Sequence, residues 1–181
     1  DAAVSMRYLS AMKEERVATA AKYASEKSSA TVNKEELVND CKAALQFAFT
    51  LAYAQGLHLL YEASKAFNYN VNIAEVVRIW KGGCIIRSSL LNDIRKAYLE
   101  DSSLNNIIHS PVFIDTLKSM RDAAEQLCST GIKNKIPLAA FAASLNYFDA
   151  YCTAKLPANL VQAQRDFFGA HTYERTDAPG S

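Results

Sequence analysis

The sequence is short of the two residues that mark tight turns and phosphate-binding loops. Its 181 residues include only six glycines and four prolines. These numbers argue against a β-sandwich, whose many turns need such residues, and against a glycine-rich nucleotide loop. An excess of charge of one sign is also lacking, because the formal net charge is +1. This balance does not indicate binding to nucleic acid or to an anionic membrane.

Clustered metal ligands are missing as well. The cysteines at positions 41, 84, 128 and 152 form no CxxC pair, and the three histidines are equally dispersed. Neither a zinc site nor a redox pair is therefore indicated. We interpret the cysteines as buried free thiols of a protein in a reducing cytosol.

No stretch of the sequence has the features of a signal peptide or of a membrane span. The uncharged run Ala43–Tyr61 contains two glutamines, a threonine and a histidine, and is too polar to cross a bilayer. We predict instead that this run is a helix buried on most of its sides. A cytoplasmic location without membrane contact is expected.

Helical periodicity dominates what is present. Apolar residues recur at steps of three and four, and no stretch alternates convincingly with period two, so we predict an all-α domain. Asn33 and Ser110 are predicted N-caps, and prolines are predicted to start helices at Pro111, Pro137 and Pro157. The predicted helices are 2–26, 34–67, 73–80, 84–100, 111–134, 137–153 and 157–168, with a short helical turn at 104–108.

The helical pattern stops after Phe168, where Gly169 is a natural helix terminator. We predict a single helical domain over residues 1–181, in which residues 169–181 form an extended tail. The tail includes His171 and Tyr173. Such a tail must pack against its own domain or against another chain.

Familiar catalytic motifs are absent: there is no GxGxxG, P-loop, HExxH or GxSxG sequence. The residues alone therefore do not indicate a complete enzyme. Arginine binds phosphate or carboxylate through two parallel hydrogen bonds, which draws attention to Arg7 and Arg165, with His171 nearby in sequence. In the alternative interpretation both arginines are solvated or snorkelling, and His171 is a hydrogen-bonded surface residue.

The segment Trp80–Cys84, WKGGC, permits two interpretations. Its paired glycines could form a phosphate-binding turn at a helix N-terminus. They could also allow two helices to approach closely, with Trp80 in the core. We favour the second interpretation.

Several ordered motifs resemble one family. QAQRDFFGAHTYE, at 162–174, closely resembles the carboxy-terminal motif of the decarboxylating 6-phosphogluconate dehydrogenases. IWKGGCIIRS, at 79–88, is similar to a second family motif, with Lys81 where arginine is common. LSAMKEER, AYAQGLHLL and LPANLVQAQRD resemble the family in the same order. The similarity spans essentially all 181 residues, so the chain is identified as a member of this family.

The resemblance implies the later part of the family's C-terminal helical domain, cut from a longer enzyme. The family's N-terminal Rossmann domain binds NADP, and the opening portion of its helical domain contributes a general-base lysine, a glutamate and a KGTGxW-type signature. None of these features is in this sequence. NADP is therefore expected on the missing N-terminal domain, and no cofactor, catalytic residue or metal is expected on this fragment. The tail stops before a family motif that usually follows, so we expect it to be truncated or naturally short.

The resemblance assigns three substrate-binding residues. Arg7 matches the family arginine that helps to hold the substrate phosphate, and Arg165 and His171 match residues that reach into the partner subunit's site. The implied partners are 6-phosphogluconate and a second copy of the chain, in a homodimer completed by the tail. The intact enzyme would oxidise and decarboxylate 6-phosphogluconate to ribulose 5-phosphate, whereas the fragment alone is expected to be inactive.

Two alternatives stay open. The chain is a non-catalytic helical dimerisation or interaction module, or it is part of a related hydroxyacid dehydrogenase with a different substrate. The second is less favoured, because Arg7, Arg165 and His171 all match phosphate-site positions, which a substrate without phosphate would not need.

Overall fold

The computed structural model describes residues 1–23 and 32–178, and every regular element in that part of the chain is helical. The all-α prediction is confirmed. The elements are α1 (Ala2–Ala11), α2 (Lys13–Lys22), α3 (Lys34–Phe67), α4 (Ile73–Trp80), α5 (Leu90–Glu100), a 3-10 turn (Ile107–His109), α6 (Pro111–Lys133), α7 (Ala139–Tyr151) and α8 (Asn159–Gly169).

The chain forms two compact units, Asp1–Asn146 and Tyr147–Ser181. The first unit contains α1 to α6, and the second contains α8 and the segment that follows it. The prediction of one helical domain over residues 1–181 stays a prediction.

The 34-residue helix α3 has the bounds that its local sequence predicts. At its start, the Asn33 side chain accepts hydrogen bonds from the backbone N–H groups of Glu35 and Glu36, at 3.0 and 3.4 Å. These bonds satisfy amide groups that a helix start leaves unpaired. At its end, Asn68 adopts a left-handed conformation with φ 56°, which asparagine tolerates well.

The core of the first unit lies where α3 packs against α6. The covered apolar side chains recur at helical spacing along one face of each helix. They are Ala44, Phe47, Leu51, Ala54 and Leu57 on α3, and Phe113, Leu117, Ala124 and Leu127 on α6.

The other face of α3 is open, which corrects the prediction that Ala43–Tyr61 is buried on most sides. Leu45, Phe49 and Leu59 are 45%, 55% and 70% exposed. The reason is geometric: the buried residues of α3 all lie along one stripe, so its packing partners cover only that face. Within residues 1–23 and 32–178, no helix is long and apolar enough to cross a membrane.

Helices α4 and α5 pack against each other and share an ion-pair network. The Asn72 side chain caps α4 by accepting a hydrogen bond from the backbone N–H of Glu75 at 3.1 Å. The Glu75 carboxylate in turn accepts hydrogen bonds from Arg78 at 2.5 Å and from Arg95 of α5 at 3.3 Å. Together the two guanidinium groups lower the pKa of Glu75. The predicted range 73–80 is confirmed.

The helix predicted over residues 2–26 is broken, and positions 24–26 lie outside the described residues. Helix α1 ends at Ala11, Met12 has φ −88° and ψ 50°, and α2 begins at Lys13. At the break, Arg16 Nη2 donates to the Ser10 carbonyl, which lies in the last turn of α1, and Ser10 Oγ donates to the Arg7 carbonyl within the same helix. Neither helix has a buried residue, so no packing enforces one continuous helix.

Three other predicted helix starts are placed too early. The helix expected from residue 84 begins at Leu90, because Gly83 has φ 100° and turns follow it. The helices expected from Pro137 and Pro157 begin at Ala139 and Asn159, each two residues later. The helical turn predicted at 104–108 is a 3-10 turn at Ile107–His109.

The prediction of buried cysteines is wrong for three of the four thiols. Cys128 is buried on α6, whereas Cys41, Cys84 and Cys152 are exposed. Cys84 lies in the turns before α5, and Cys152 follows the last residue of α7, so neither belongs to a packed helix face. Over the described residues, no group of three or more His, Cys, Asp or Glu side chains is placed to hold a metal ion.

Candidate cationic site on the last helix and tail

Arg7 is exposed on α1, in the first unit. Its backbone carbonyl accepts the Ser10 hydroxyl at 2.7 Å. In the described part of the chain, its guanidinium forms no hydrogen bond or ion pair. Its charge and its planar donors are therefore open to an external anion.

Arg165 lies on α8, in the second unit, and is also exposed. Its Nη1 donates to the neutral Gln162 Oε1 at 3.1 Å. This single bond to an amide leaves its other donors and its full charge available. No residue of α8 is buried, so this helix is not packed into a core.

The chain turns back on itself directly after α8. Ala170 and Thr172 both have left-handed backbones, with φ 47° and 58°. Asp166 holds this reversal at two points: its backbone carbonyl accepts the Ala170 N–H at 2.7 Å, and its Oδ1 accepts the Thr172 N–H at 2.9 Å. From Ala170 to residue 178 the tail has neither helix nor strand.

The reversal places the His171 ring against Gly169. A Cβ atom added to Gly169 would lie 2.7 Å from His171 Nε2 and 2.9 Å from its Cδ2. The imidazole therefore occupies the space that any other residue at position 169 would fill with its side chain.

Arg165 and His171 consequently line one open concavity of about 290 Å³, together with Gln164, Phe168 and Gly169. Two of the three predicted site residues are thus brought together by local structure. Arg7 belongs to the other unit. The geometry gives the concavity one permanent positive charge and one histidine that can donate a hydrogen bond, which suits an anionic group.

Exposed aromatic side chains adjoin this concavity. The Phe167 and Phe168 rings meet edge to face with centroids 5.5 Å apart, and they are 86% and 78% exposed. An apolar pair so fully exposed is typical of a surface that another protein surface covers.

The tail also contains an arginine, which differs from Arg165 of α8 because it is already paired. Arg175 donates to both carboxylate oxygens of Asp177, from Nε at 3.0 Å and from Nη2 at 2.7 Å. These hydrogen bonds lower the pKa of Asp177 and raise that of Arg175. Of the two arginines in this unit, Arg175 is therefore neutralised by a carboxylate, whereas Arg165 is bonded, among the described residues, only to an uncharged amide.

The first unit contains a separate, mostly apolar cavity of about 530 Å³ beside α3. The Tyr53 hydroxyl on its wall donates to the Ile86 carbonyl, and burial is the main cause of a raised pKa at Tyr53. Trp80 and Arg87 also line it. Sequence reasoning assigned no role to Tyr53, although the motif AYAQGLHLL that includes it was among those singled out.

Neither interpretation of the WKGGC glycines holds. A Cβ atom on Gly83 would meet nothing within 4 Å, and one on Gly82 would meet only the Ile79 carbonyl of the preceding turn. Within residues 1–23 and 32–178, no second helix therefore lies close to these glycines. They also do not begin a helix, because α5 starts only at Leu90. Gly83 instead supplies a positive φ for the turn, and Trp80 is half-buried at the cavity wall.

The regular elements of the described residues are all helices, and one of them, with the tail that follows it, exposes an arginine and a histidine side by side in one concavity. The sequence profile of the 6-phosphogluconate dehydrogenase C-terminal domain matches residues 1–181. The chain therefore belongs to the 6-phosphogluconate dehydrogenase C-terminal domain family.

Curated relatives agree with this assignment. The decarboxylating 6-phosphogluconate dehydrogenase of Synechococcus elongatus is 44% identical over 186 residues, covering 99% of this chain and 38% of the relative. Decarboxylating 6-phosphogluconate dehydrogenase 1 of rice, Oryza sativa, is 42% identical over 182 residues, covering 100% and 38% respectively. The chain thus spans well under half the length of these relatives.

A solved structure matches the fold over nearly the whole chain. It belongs to 6-phosphogluconate dehydrogenase from Plasmodium falciparum, described in its apo form, with its cofactor NADP+ and with its substrate 6-phosphogluconate. The TM-score is 0.91 at 37% identity, covering 99% of this chain and 39% of that chain.

Proposed function

We propose that this chain acts as the later part of the C-terminal domain of a decarboxylating 6-phosphogluconate dehydrogenase, and that it helps to bind the substrate phosphate. Arg7, Arg165 and His171 are the proposed phosphate contacts. The observation that supports this most directly is the shared concavity of Arg165 and His171 at the reversal after α8. The complete protein would convert 6-phosphogluconate to ribulose 5-phosphate with NADP as the hydride acceptor, in the pentose phosphate pathway.

The chain's own residues do not fit NADP. In a Rossmann fold the dinucleotide pyrophosphate binds at a glycine-rich turn between a strand and a helix, and the sequence has no GxGxxG motif. All regular elements among the described residues are helices. We therefore assign no coenzyme contact to this chain and expect the coenzyme on the part of the relatives that this chain does not span.

Binding of a phosphate dianion explains the residue types. Arginine offers a planar set of donors to two phosphate oxygens, and a histidine beside it offers a further donor. Hydrogen bonds to charged groups contribute about 1.5–3 kcal/mol each. The role of these side chains would be to bind and orient the substrate, while the groups that move protons and the hydride lie elsewhere.

We also propose a homodimer in which α8 and the tail reach the partner subunit's site. Support comes from the lack of any buried residue on α8 and from the exposure of Phe167 and Phe168, which would anchor the tail on apolar surface together with Tyr173. A cytosolic location is proposed because the chain has four free cysteines, three of them exposed, which stay reduced in that compartment.

Substitution of Arg165 in the complete enzyme tests the proposal. Arg165→Gln removes the charge and the paired donors, so we expect the KM for 6-phosphogluconate to rise about 10- to 100-fold, as the loss of one charge-assisted bond implies. Arg175→Gln is the matched control, because Arg175 is already paired with Asp177, and its KM should change less than twofold. An unchanged KM in Arg165→Gln contradicts the assignment of Arg165.

A non-catalytic interaction module is the second candidate, favoured by the exposed apolar face of α3. Both readings predict that the 181-residue chain alone dimerises and produces no NADPH from 6-phosphogluconate. Co-expression distinguishes the two candidates. The second polypeptide would be the segment of a curated relative that this chain does not match. If the two polypeptides together produce NADPH, the chain is part of the enzyme. If they form a complex but produce no NADPH, the chain is a non-catalytic interaction module.

A further inference from the structure

Gly169 is the last residue of α8, and its backbone alone does not explain why a glycine is there. Its φ lies outside the left-handed region; the left-handed residue that ends the helix is Ala170, with φ 47°. An alanine at position 169 would therefore meet no backbone penalty. What it would meet is the His171 ring, with Nε2 only 2.7 Å from the added Cβ.

The His171 ring is fixed from the other side by the path of the backbone. Ala170 and Thr172, its two neighbours, both have positive φ, a conformation that non-glycine residues rarely adopt unless other contacts hold them there. Asp166 supplies those contacts, through its carbonyl to the Ala170 N–H and through its carboxylate to the Thr172 N–H. His171 thus lies between two residues, Ala170 and Thr172, whose backbone N–H groups are both bound by Asp166.

We propose that Gly169 and Asp166 are positioning residues that hold the His171 imidazole beside Arg165 before the substrate binds. Gly169 provides the space, and Asp166 fixes the backbone on both sides of the histidine. This inference rests on the proposed phosphate-binding role of His171. A histidine held in this way loses less conformational freedom on binding than one on a free tail, which raises affinity without any new contact.

The first test is Gly169→Ala in the complete enzyme, because it separates function from stability. Alanine favours helix over glycine, so the unfolding temperature should stay unchanged or rise. The displaced imidazole should raise the KM for 6-phosphogluconate about tenfold with little change in kcat, as loss of binding common to substrate and transition state implies. Gly56→Ala on α3 is the matched control: its Cβ would meet nothing within 4 Å, and its KM should not change.

The second test separates a hydrogen-bonding role of Asp166 from a role of its charge. Asp166→Ala removes the acceptor of the Thr172 N–H, so we expect the KM to rise severalfold. Asp166→Asn keeps a side-chain oxygen at the same place and should restore a KM near that of the unchanged enzyme. A rise in KM of equal size in both variants would overturn the positioning role of this carboxylate.

His171→Ala distinguishes failure of this inference from failure of the proposed function. If His171→Ala leaves the KM unchanged, the phosphate-binding role of His171 is wrong. If His171→Ala raises the KM but Gly169→Ala does not, the role stands and the positioning inference is overturned. The inference is supported if Gly169→Ala raises the KM alone but adds nothing further in the His171→Ala background.

Discussion

Two tyrosines of the first unit differ in whether the hydroxyl group forms a hydrogen bond, and this difference determines its effect on stability. Tyr98 on α5 is 4% exposed, and its hydroxyl has no hydrogen-bond partner among the described residues. Burial raises its pKa to about 12. The Tyr53 hydroxyl, by contrast, donates to the Ile86 carbonyl.

Replacement of each tyrosine by phenylalanine should therefore have opposite effects. Tyr98→Phe removes a buried group that pays for desolvation without a bond, so the free energy of unfolding should rise by about 1 kcal/mol. Tyr53→Phe removes a formed hydrogen bond and should lower it by about 0.5–1.5 kcal/mol. Urea denaturation followed by circular dichroism measures both, and a loss of stability in Tyr98→Phe would show that its hydroxyl is satisfied in solution.

Tyr98 also predicts a dependence of stability on alkaline pH. Its pKa is higher in the folded state than in the unfolded chain, so its contribution is complete below the unfolded value of about 10 and is lost as pH rises through the folded value of about 12. Tyr98→Phe should lose less stability over this window. Denaturation at pH 9 and pH 11 checks the slope, and identical slopes in both proteins would contradict the prediction.

At the scale of elements, helix starts separate into those with a side-chain cap and those without. Asn33 accepts two backbone N–H groups at the start of α3, whereas Ser110 precedes α6 at the same position without a side-chain cap bond. Pro111 follows Ser110 and removes one N–H that would need a partner. The N-cap side chain is therefore expected to contribute more to the free energy of unfolding at α3 than at α6.

Alanine substitution at these two N-caps measures the difference. Asn33→Ala should lower the free energy of unfolding by about 1 kcal/mol, because it removes the acceptor of the Glu35 and Glu36 amides. Ser110→Ala should change it by less than about 0.5 kcal/mol. Equal losses in the two variants, measured by thermal or urea unfolding, would show that the cap bond is not the cause.

Helix bounds could be predicted from the sequence where the residues next to the helix in the chain determine where it starts or ends. The bounds of α3 and α4 were correct because asparagine residues directly flank these helices. Asn33 and Asn72 cap the starts of α3 and α4, and Asn68 ends α3. The break at Met12 was not predictable, because no glycine or proline marks it. It depends instead on whether anything packs along α1 and α2.

At the scale of the whole molecule, the two faces of α3 have different roles. Phe47 is 1% exposed, while Phe49, two residues later, is 55% exposed. The sequence shows apolar residues on both faces, which is why burial on most sides was expected. The position of α6, which packs most extensively on α3, decides which face lies in the core of this unit.

The pair Phe47 and Phe49 offers a direct measurement of that difference. Phe47→Ala should lower the free energy of unfolding by about 3–5 kcal/mol, because it leaves a cavity in the core. Phe49→Ala should change it by less than about 1 kcal/mol, since most of that ring is already in contact with solvent. Urea titration of both variants decides; comparable losses would mean that the open face of α3 is covered in solution.

The candidate site shows the same division between local and tertiary information. Arg165 and His171 were identified by their resemblance to a family motif, and residue types alone left a solvated surface as an alternative. The reversal that joins them was not predicted, because it requires positive φ at Ala170 and Thr172, and neither residue type suggests that conformation.

The sequence by itself determined the helical class, the bounds of the two helices with asparagine caps and the family, because each depends on periodicity or on residues close together in the chain. Tertiary structure decided which face of α3 is buried and that, among the thiols, only Cys128 is covered. These features depend on which surfaces meet in space, and spacing along the chain does not specify which of several apolar faces finds a partner.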